Sequence, residues 1–229
     1  MSEQRAEQGR ALRFRDRAQA GRLLAERLSS HRADPTLLVL GLPRGGVPVA
    51  FEVARALGAP LDVLVVRKLG VPGHEELAMG ALASGGVCVL NHEVVLGLGI
   101  GEETIARAAA AERVELERRE RAYRGERGRI DVAGRTVVVV DDGLATGSTM
   151  LAAVRALAAQ RPRRLIAAVP VAARETCDRL RPEVDELVCA ATPEAFHAVG
   201  LWYDDFAPTS DAEVRELLER SGERRPERG

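Results

Sequence analysis

Residues 137 to 149 read VVVVDDGLATGST, and no other stretch constrains the chain as tightly. Val137 to Val140 are an unbroken apolar run, the pattern of a strand buried on both faces. Asp141 and Asp142 stand side by side at its C-terminal end. The small residues Ala145, Thr146, Gly147, Ser148 and Thr149 follow, and then an alanine-rich helix begins. Small residues let a backbone wrap closely around a ligand, and a helix start offers N–H groups without intrahelical partners. Such a turn can hold a phosphate monoester. The two carboxylates would repel that phosphate, so their natural partners are hydroxyl donors or a divalent cation. Phosphate on one side and a diol on the other describe a sugar phosphate. The plainer reading is an ordinary strand–turn–helix with a polar turn. A nucleotide loop of the Walker type is excluded, because no G-x-x-x-x-G-K-[ST] string occurs.

The rest of the chain suits a soluble enzyme. Its 229 residues are enough for one α/β domain with a sizeable core. A formal net charge of −1 gives no overall pull towards nucleic acid or an anionic membrane. No apolar run is long enough to span a bilayer, and the polar N-terminus lacks the apolar segment of a signal peptide. The expectation is a cytoplasmic protein with neither nucleic-acid nor membrane partners. Cys88, Cys177 and Cys189 are widely spaced and odd in number, which suits reduced, packed thiols rather than disulfides or a zinc site. Of 33 Lys plus Arg residues only Lys68 is lysine, which invites a functional reading beside that of chance survival.

Strand and helix patterns alternate along the chain. Helices are expected over 16–30, 47–57, 102–127, 148–159, 174–180 and 211–220, and strands over 36–42, 61–66, 137–140, 165–171 and 186–189. Residues 71–76 read as a polar loop, and 78–83 with 87–90 as a hairpin. The interleaved charges of 102–127 suggest an exposed rod braced by i,i+4 pairs. The fold class is therefore α/β, a parallel sheet flanked by helices. One domain covers 1–229, with a core of about 12–209 and a frayed tail at 221–229.

Ligands of such sheets bind beyond the C-terminal strand ends, so these ends carry the further candidates. The first strand runs into GLPRGGVP, where Gly45 and Gly46 permit close approach and Arg44 can grip phosphate bidentately. The second runs into VVRKLGVPGHEELAMG, with Arg67 and Lys68 as adjacent cations. His74, Glu75 and Glu76 are the titratable groups of the following loop, and any of them could serve as acid or base or simply be solvated. Four of the seven aromatic residues, Phe196, Trp202, Tyr203 and Phe206, lie close together. Phe196 and Phe206 read as packing. Trp202 or Tyr203 could stack on a ring or pack, and Asp204 or Asp205 could accept the N–H groups of that ring.

The 137–149 pattern resembles the 5-phosphoribosyl-1-diphosphate (PRPP) loop of type I phosphoribosyltransferases. The resemblance implies that Asp141 and Asp142 bind the ribose 2′- and 3′-hydroxyls, and that Ala145, Thr146, Gly147, Ser148 and Thr149 bind the 5′-phosphate. Arg44-Gly45-Gly46 would be the diphosphate loop, similar to that of the xanthine–guanine branch, with a non-proline cis peptide expected at Pro43–Arg44. Arg67-Lys68-Leu69-Gly70 resembles an adenine-type element that serves the diphosphate. Residues 70–77 would then be a mobile catalytic loop, and Arg44, Lys68, Glu75 and Glu76 the catalytic candidates. Ala145 stands where hypoxanthine–guanine enzymes carry an acid, as in adenine and orotate enzymes. A variable hood would come from 190–220 and the N-terminal helix, and would place Trp202, Tyr203 and Asp204 at the acceptor. The long helix and the WYDDF string resemble a little-characterised branch. Mg²⁺ would arrive on the substrate, with Asp141 and Asp142 reaching it through water. The implied reaction moves the 5-phosphoribosyl group from PRPP to a nitrogenous, nucleobase-like acceptor and releases diphosphate. The alternatives are a PRPP-binding regulator or sensor with little catalysis, and a relative that binds other sugar phosphates. Assembly into a homodimer stays open.

Overall fold

The computed structural model describes residues 13–125, 127–129 and 131–222, with the side chains of residues 75 and 76 outside that description. The central sheet is built from β1 (Leu37–Gly41), β2 (Leu61–Val63), β6 (Thr136–Val140), β7 (Arg164–Val171) and β8 (Glu186–Ala191). All pairings are parallel, in the order β2-β1-β6-β7-β8. The helices are α1 (Arg17–Arg27), α2 (Gly46–Leu57), α3 (His92–Gly97), α4 (Glu102–Arg124), α5 (Ser148–Ala158), α6 (Arg174–Leu180) and α7 (Asp211–Gly222).

The apolar strands are apolar because both of their faces are covered. Leu37 and Val39 of β1 and Val138 and Val140 of β6 pack with α1, α2, α4 and α7 in one cluster. Leu38, Leu40, Val137 and Val139 pack on the other face with α5 and α6. Strand order reverses direction between β1 and β6, since the chain leaves β1 towards β2 and returns on the other side. Their C-terminal ends therefore open a crevice at a topological switch point, where open α/β sheets bind ligands. A third cluster, Phe14, Ala20, Val171 and Tyr203, with Ala191, Phe196, Val199, Trp202 and Phe206 packed against it, gathers at the C-terminal ends of β7 and β8.

Several elements differ from the sequence expectation, among them the strand expected over 61–66, which ends as β2 at Val63. Residues 71–76 are not a loop: β3 (Val66–Val71) and β4 (His74–Ala83) form an antiparallel hairpin, extended by β5 (Val87–Leu90). Pro72 and Gly73 make only its tight turn, with Gly73 at φ +80°, while Leu69, Val71, Met79 and Leu82 anchor the strands in the first cluster. Helix α3 lies where no element was expected; Asn91 caps it by accepting from the Val94 N–H. Helix α4 is not a freely exposed rod. Leu116, Tyr123 and Arg124 are buried along it, while Glu115 pairs with Arg118 and Arg119 on its outer side. The last helix reaches Gly222, and residues 223–229 of the expected tail lie outside the described residues. The three cysteines are free thiols; Cys177 is buried, with Cys189 at 3.2 Å. Among the described residues no helix is long and apolar enough to cross a membrane.

Arg124 fastens α4 to the sheet. Its guanidinium donates to Asp62 Oδ1 at 2.8 Å, to Glu120 Oε1 at 2.6 Å and to the Val63 carbonyl, with both Arg124 and Asp62 side chains under a tenth exposed. Removing one partner of a buried pair costs roughly 3–5 kcal/mol, whereas an exposed pair contributes about 0–1 kcal/mol. Arg124→Met is therefore expected to lower stability in urea by about 3 kcal/mol or more. Arg164→Met, at the half-exposed Arg164–Glu186 pair, is expected to change it by under about 1 kcal/mol. Equal effects of the two substitutions would contradict this assignment.

Candidate functional site

The site begins where β6 ends. Asp141 and Asp142 follow Val140 directly, so the buried strand fixes both backbones at the mouth of the crevice. The Asp142 N–H donates to Asp141 Oδ1 at 2.9 Å. Burial raises the affinity of both carboxyls for a proton; at Asp141 the charge of Asp142 adds to the effect, and at Asp142 the Arg17 cation opposes it. Two desolvated like charges in contact need outside donors, and a diol supplies two.

Gly45 and Gly46 sit against this pair. The Leu42 N–H donates to the Val140 carbonyl at 2.9 Å, which sets the loop beside the end of β6. A side chain at Gly45 would run into the Asp142 carboxylate, and one at Gly46 into the Val140 carbonyl and the Asp141 backbone. The Pro43–Arg44 peptide is cis, as expected. Arg44 itself is half exposed, its guanidinium 3.9 Å from Asp211 of α7.

The small-residue loop is held from behind by α6. Leu144 bridges to Ala172, and Thr176 Oγ1 donates to the Ala145 carbonyl. The Arg179 guanidinium donates to the Thr146 carbonyl at 2.9 Å. Gly147 takes φ +69°, and a side chain there would strike Thr176. Ala145, Thr146, Ser148 and Thr149 thus line the start of α5, with their carbonyls turned to α6 where bonds are made and the first-turn N–H groups of the helix free of intrahelical partners. A helix N-terminus of this kind attracts anions.

The hairpin turns its two expected cations to opposite faces. Side chains alternate along β3. Lys68 is exposed and shares a face with Val66, which packs against the α5 side of the core. Arg67 points the opposite way, with Nε 2.6 Å from Glu112 of α4. Strand periodicity thus separates Arg67 from Lys68, beside which it was expected to serve the diphosphate. His74 opens β4 and is exposed; the side chains of Glu75 and Glu76 lie outside the described residues.

Of the expected acceptor residues, Tyr203 is buried. Its hydroxyl donates to the Asp142 carbonyl at 2.6 Å, and its ring packs between Phe14 and Phe206. Burial holds its phenolic proton well above the usual range, so it remains a donor. It positions Asp142 and offers no stacking face. Asp204 points out to Arg13 at 3.3 Å. Trp202 is half-buried in the same cluster.

Arg17, Thr176 and Arg179 were not found from the sequence. Arg17 Nε donates to Asp142 Oδ2 at 2.9 Å, in a pair whose side chains are 12% and 15% exposed. In a chain where all but one basic residue is arginine, no single arginine stands out.

With this geometry in view, comparison with known proteins is direct. The family model described as "phosphoribosyl transferase domain" matches residues 13–201. Two Mycobacterium tuberculosis proteins, from strains H37Rv and CDC 1551, provisionally named phosphoribosyl transferases, are each 48% identical over 208 residues, covering 91% of this chain and 47% of theirs. The chain thus spans about half the length of these curated relatives. The crystal structure of TT1426 from Thermus thermophilus superposes with a TM-score of 0.83 at 44% identity, covering 91% of this chain and 98% of that one. The resemblance carried by residues 137–149 is borne out across most of the chain, which belongs to the phosphoribosyl transferase family.

Proposed function

We propose that the protein transfers the 5-phosphoribosyl group of PRPP to a nitrogenous, nucleobase-like acceptor with release of diphosphate. The observation that supports this most is the meeting of three features at one crevice. These are the paired carboxylates, the glycine loop pressed against them and the anion-attracting start of α5. In this reading Asp141 and Asp142 accept from the ribose hydroxyls, and residues 145–149 hold the 5′-phosphate.

Magnesium is the cofactor of this reading. Among the described residues no cluster of three or more His, Cys, Asp or Glu is arranged to hold a metal. The Asp141–Asp142 pair supplies hard oxygen donors that suit magnesium, though too few for a resident site. The residues therefore fit Mg²⁺ delivered on the diphosphate, reached by the carboxylates through water. When bound, the ion would offset negative charge on the leaving group.

The chain's own groups do the rest. Loss of diphosphate leaves positive charge on the ribose ring and negative charge on the leaving group, as in glycoside cleavage. In this reading Arg44 and Lys68 would meet that negative charge, an interaction worth most where the charge grows during the reaction. The β3–β4 hairpin lies over the α5 side and is the element that would exclude water, in place of an unstructured loop. Trp202, half-buried in the cluster at the C-terminal ends of β7 and β8, remains the aromatic candidate for the acceptor side. A PRPP sensor would use the same sugar site without needing Lys68.

Two measurements check this function. Asp141→Asn with Asp142→Asn is expected to weaken PRPP binding about 100-fold or more, because each charged hydrogen bond contributes roughly 1.5–3 kcal/mol. Calorimetric titration with PRPP and Mg²⁺ reads this out, with a thermal melt confirming that the variant is folded. Unchanged affinity would remove the sugar assignment. Lys68→Ala is expected to depress kcat at least about tenfold while changing PRPP affinity less than about threefold, if it serves charge that develops in the transition state. Turnover left intact would exclude that role for Lys68, whereas PRPP binding without any turnover in the unaltered protein would favour the sensor.

A further inference from the structure

The Arg17–Asp142 pair ties the start of α1 directly to the strand-end carboxylates. Arg17 is the first residue of α1, directly after the Asp16 cap. A cation in the first turn of a helix opposes the helix dipole, so the helix itself gains nothing from it. The side chain instead crosses to the strand end. Its Nε donates to Asp142 Oδ2 at 2.9 Å, and its Nη1 donates to the Ala207 carbonyl at 2.8 Å. The guanidinium carbon lies 4.0 Å from the centre of the Phe206 ring, a cation–π contact. The backbone of Asp142 is gripped from the same segment, by the Tyr203 hydroxyl on its carbonyl. Segment 203–207 thus holds Asp142 twice, once directly and once through Arg17.

A carboxylate has two oxygens and about four acceptor sites. Arg17 occupies one oxygen and leaves Asp142 able to accept a hydroxyl. The pair also offsets the repulsion between adjacent carboxylates. Fixing the carboxylate before the ligand arrives removes an ordering cost from binding. From this geometry we infer that Arg17 is a positioning residue: it presets Asp142 for the sugar hydroxyls and ties that carboxylate to the 203–207 segment. The inference rests on the PRPP reading of the site and goes beyond it, since Arg17 acts through Asp142 and need not touch the ligand. Arg17 lies outside the strand-end loops, on a helix 125 residues away in sequence.

The test is a double-mutant cycle read by PRPP titration in the presence of Mg²⁺. The variants are Arg17→Met, Asp142→Asn and the two combined, with Arg17→Lys as the conservative exchange. Methionine keeps an apolar stem over Phe206 while removing the donors. Arg17→Met is expected to weaken PRPP by about tenfold, the scale of one charge-assisted hydrogen bond. Arg17→Lys should recover part of that loss. In the Asp142→Asn background, Arg17→Met should add less than about twofold, because the residue through which it acts is already neutral. A purely structural role would give the same loss in both backgrounds, and that result would overturn the inference. So would wild-type affinity in folded Arg17→Met. Should Arg17→Met not fold, Arg17→Gln enters the same cycle with the same criteria. Failure of the wild-type protein to bind PRPP would instead defeat the sugar-site reading itself, so the two failures are distinguishable.

Discussion

Two carboxylates in contact at the end of a buried strand repel each other and resist leaving water. Asp141 and Asp142 are held in that arrangement because β6 is locked between β1 and β7 and covered on both faces. The surroundings are shaped to the pair. Gly45 and Gly46 carry no side chain because there is no room for one, Tyr203 is buried to reach the Asp142 carbonyl, and Arg17 leaves its own helix to supply a counter-charge. Burial still pushes both carboxyls towards protonation, a cost that hydroxyl donors would offset by hydrogen-bonding the charged form. Ribose hydroxyls are donors of the right number, which is the physical content of the proposed function.

The second half of the site depends on α6 as well as on the end of β7. Thr176 and Arg179 hold the carbonyls of Ala145 and Thr146, and so fix the small-residue loop at the start of α5. The loop can be made of small residues, and approach a phosphate closely, because its rigidity comes from its neighbour. In the proposed reading, the diol end and the phosphate end of the ligand would then rest on differently supported elements.

Much of this was legible in the sequence, and the remainder was hidden for identifiable reasons. The valines of β6, the paired acids and the small-residue turn are consecutive, so their chemistry and order can be read without the fold. The central strands were legible because burial on both faces leaves no polar positions to confuse the period. Residues 71–76 were misread because Pro72-Gly73 looks like loop punctuation, whereas it is the turn of a hairpin whose anchors, Met79 and Leu82, lie further on. Arg67 and Lys68 look like a pair in sequence and part company in a strand, where neighbours face opposite ways. Arg17 carries no local signal, since arginine is abundant and its partner is distant in sequence. The even choice between packing and stacking at Tyr203 was decided by tertiary contacts with Phe14, Phe206 and Asp142.

The central claim is that one crevice holds PRPP by its two ends. Amide hydrogen exchange of the full chain, with and without PRPP and Mg²⁺, tests it most directly. Protection is predicted at residues 142–151 and 44–48, the segments that follow β6 and β1, with little change at the opposite ends of the same strands. Saturating PRPP that protects neither segment, or protects only sites away from the ends of β1 and β6, would contradict the account.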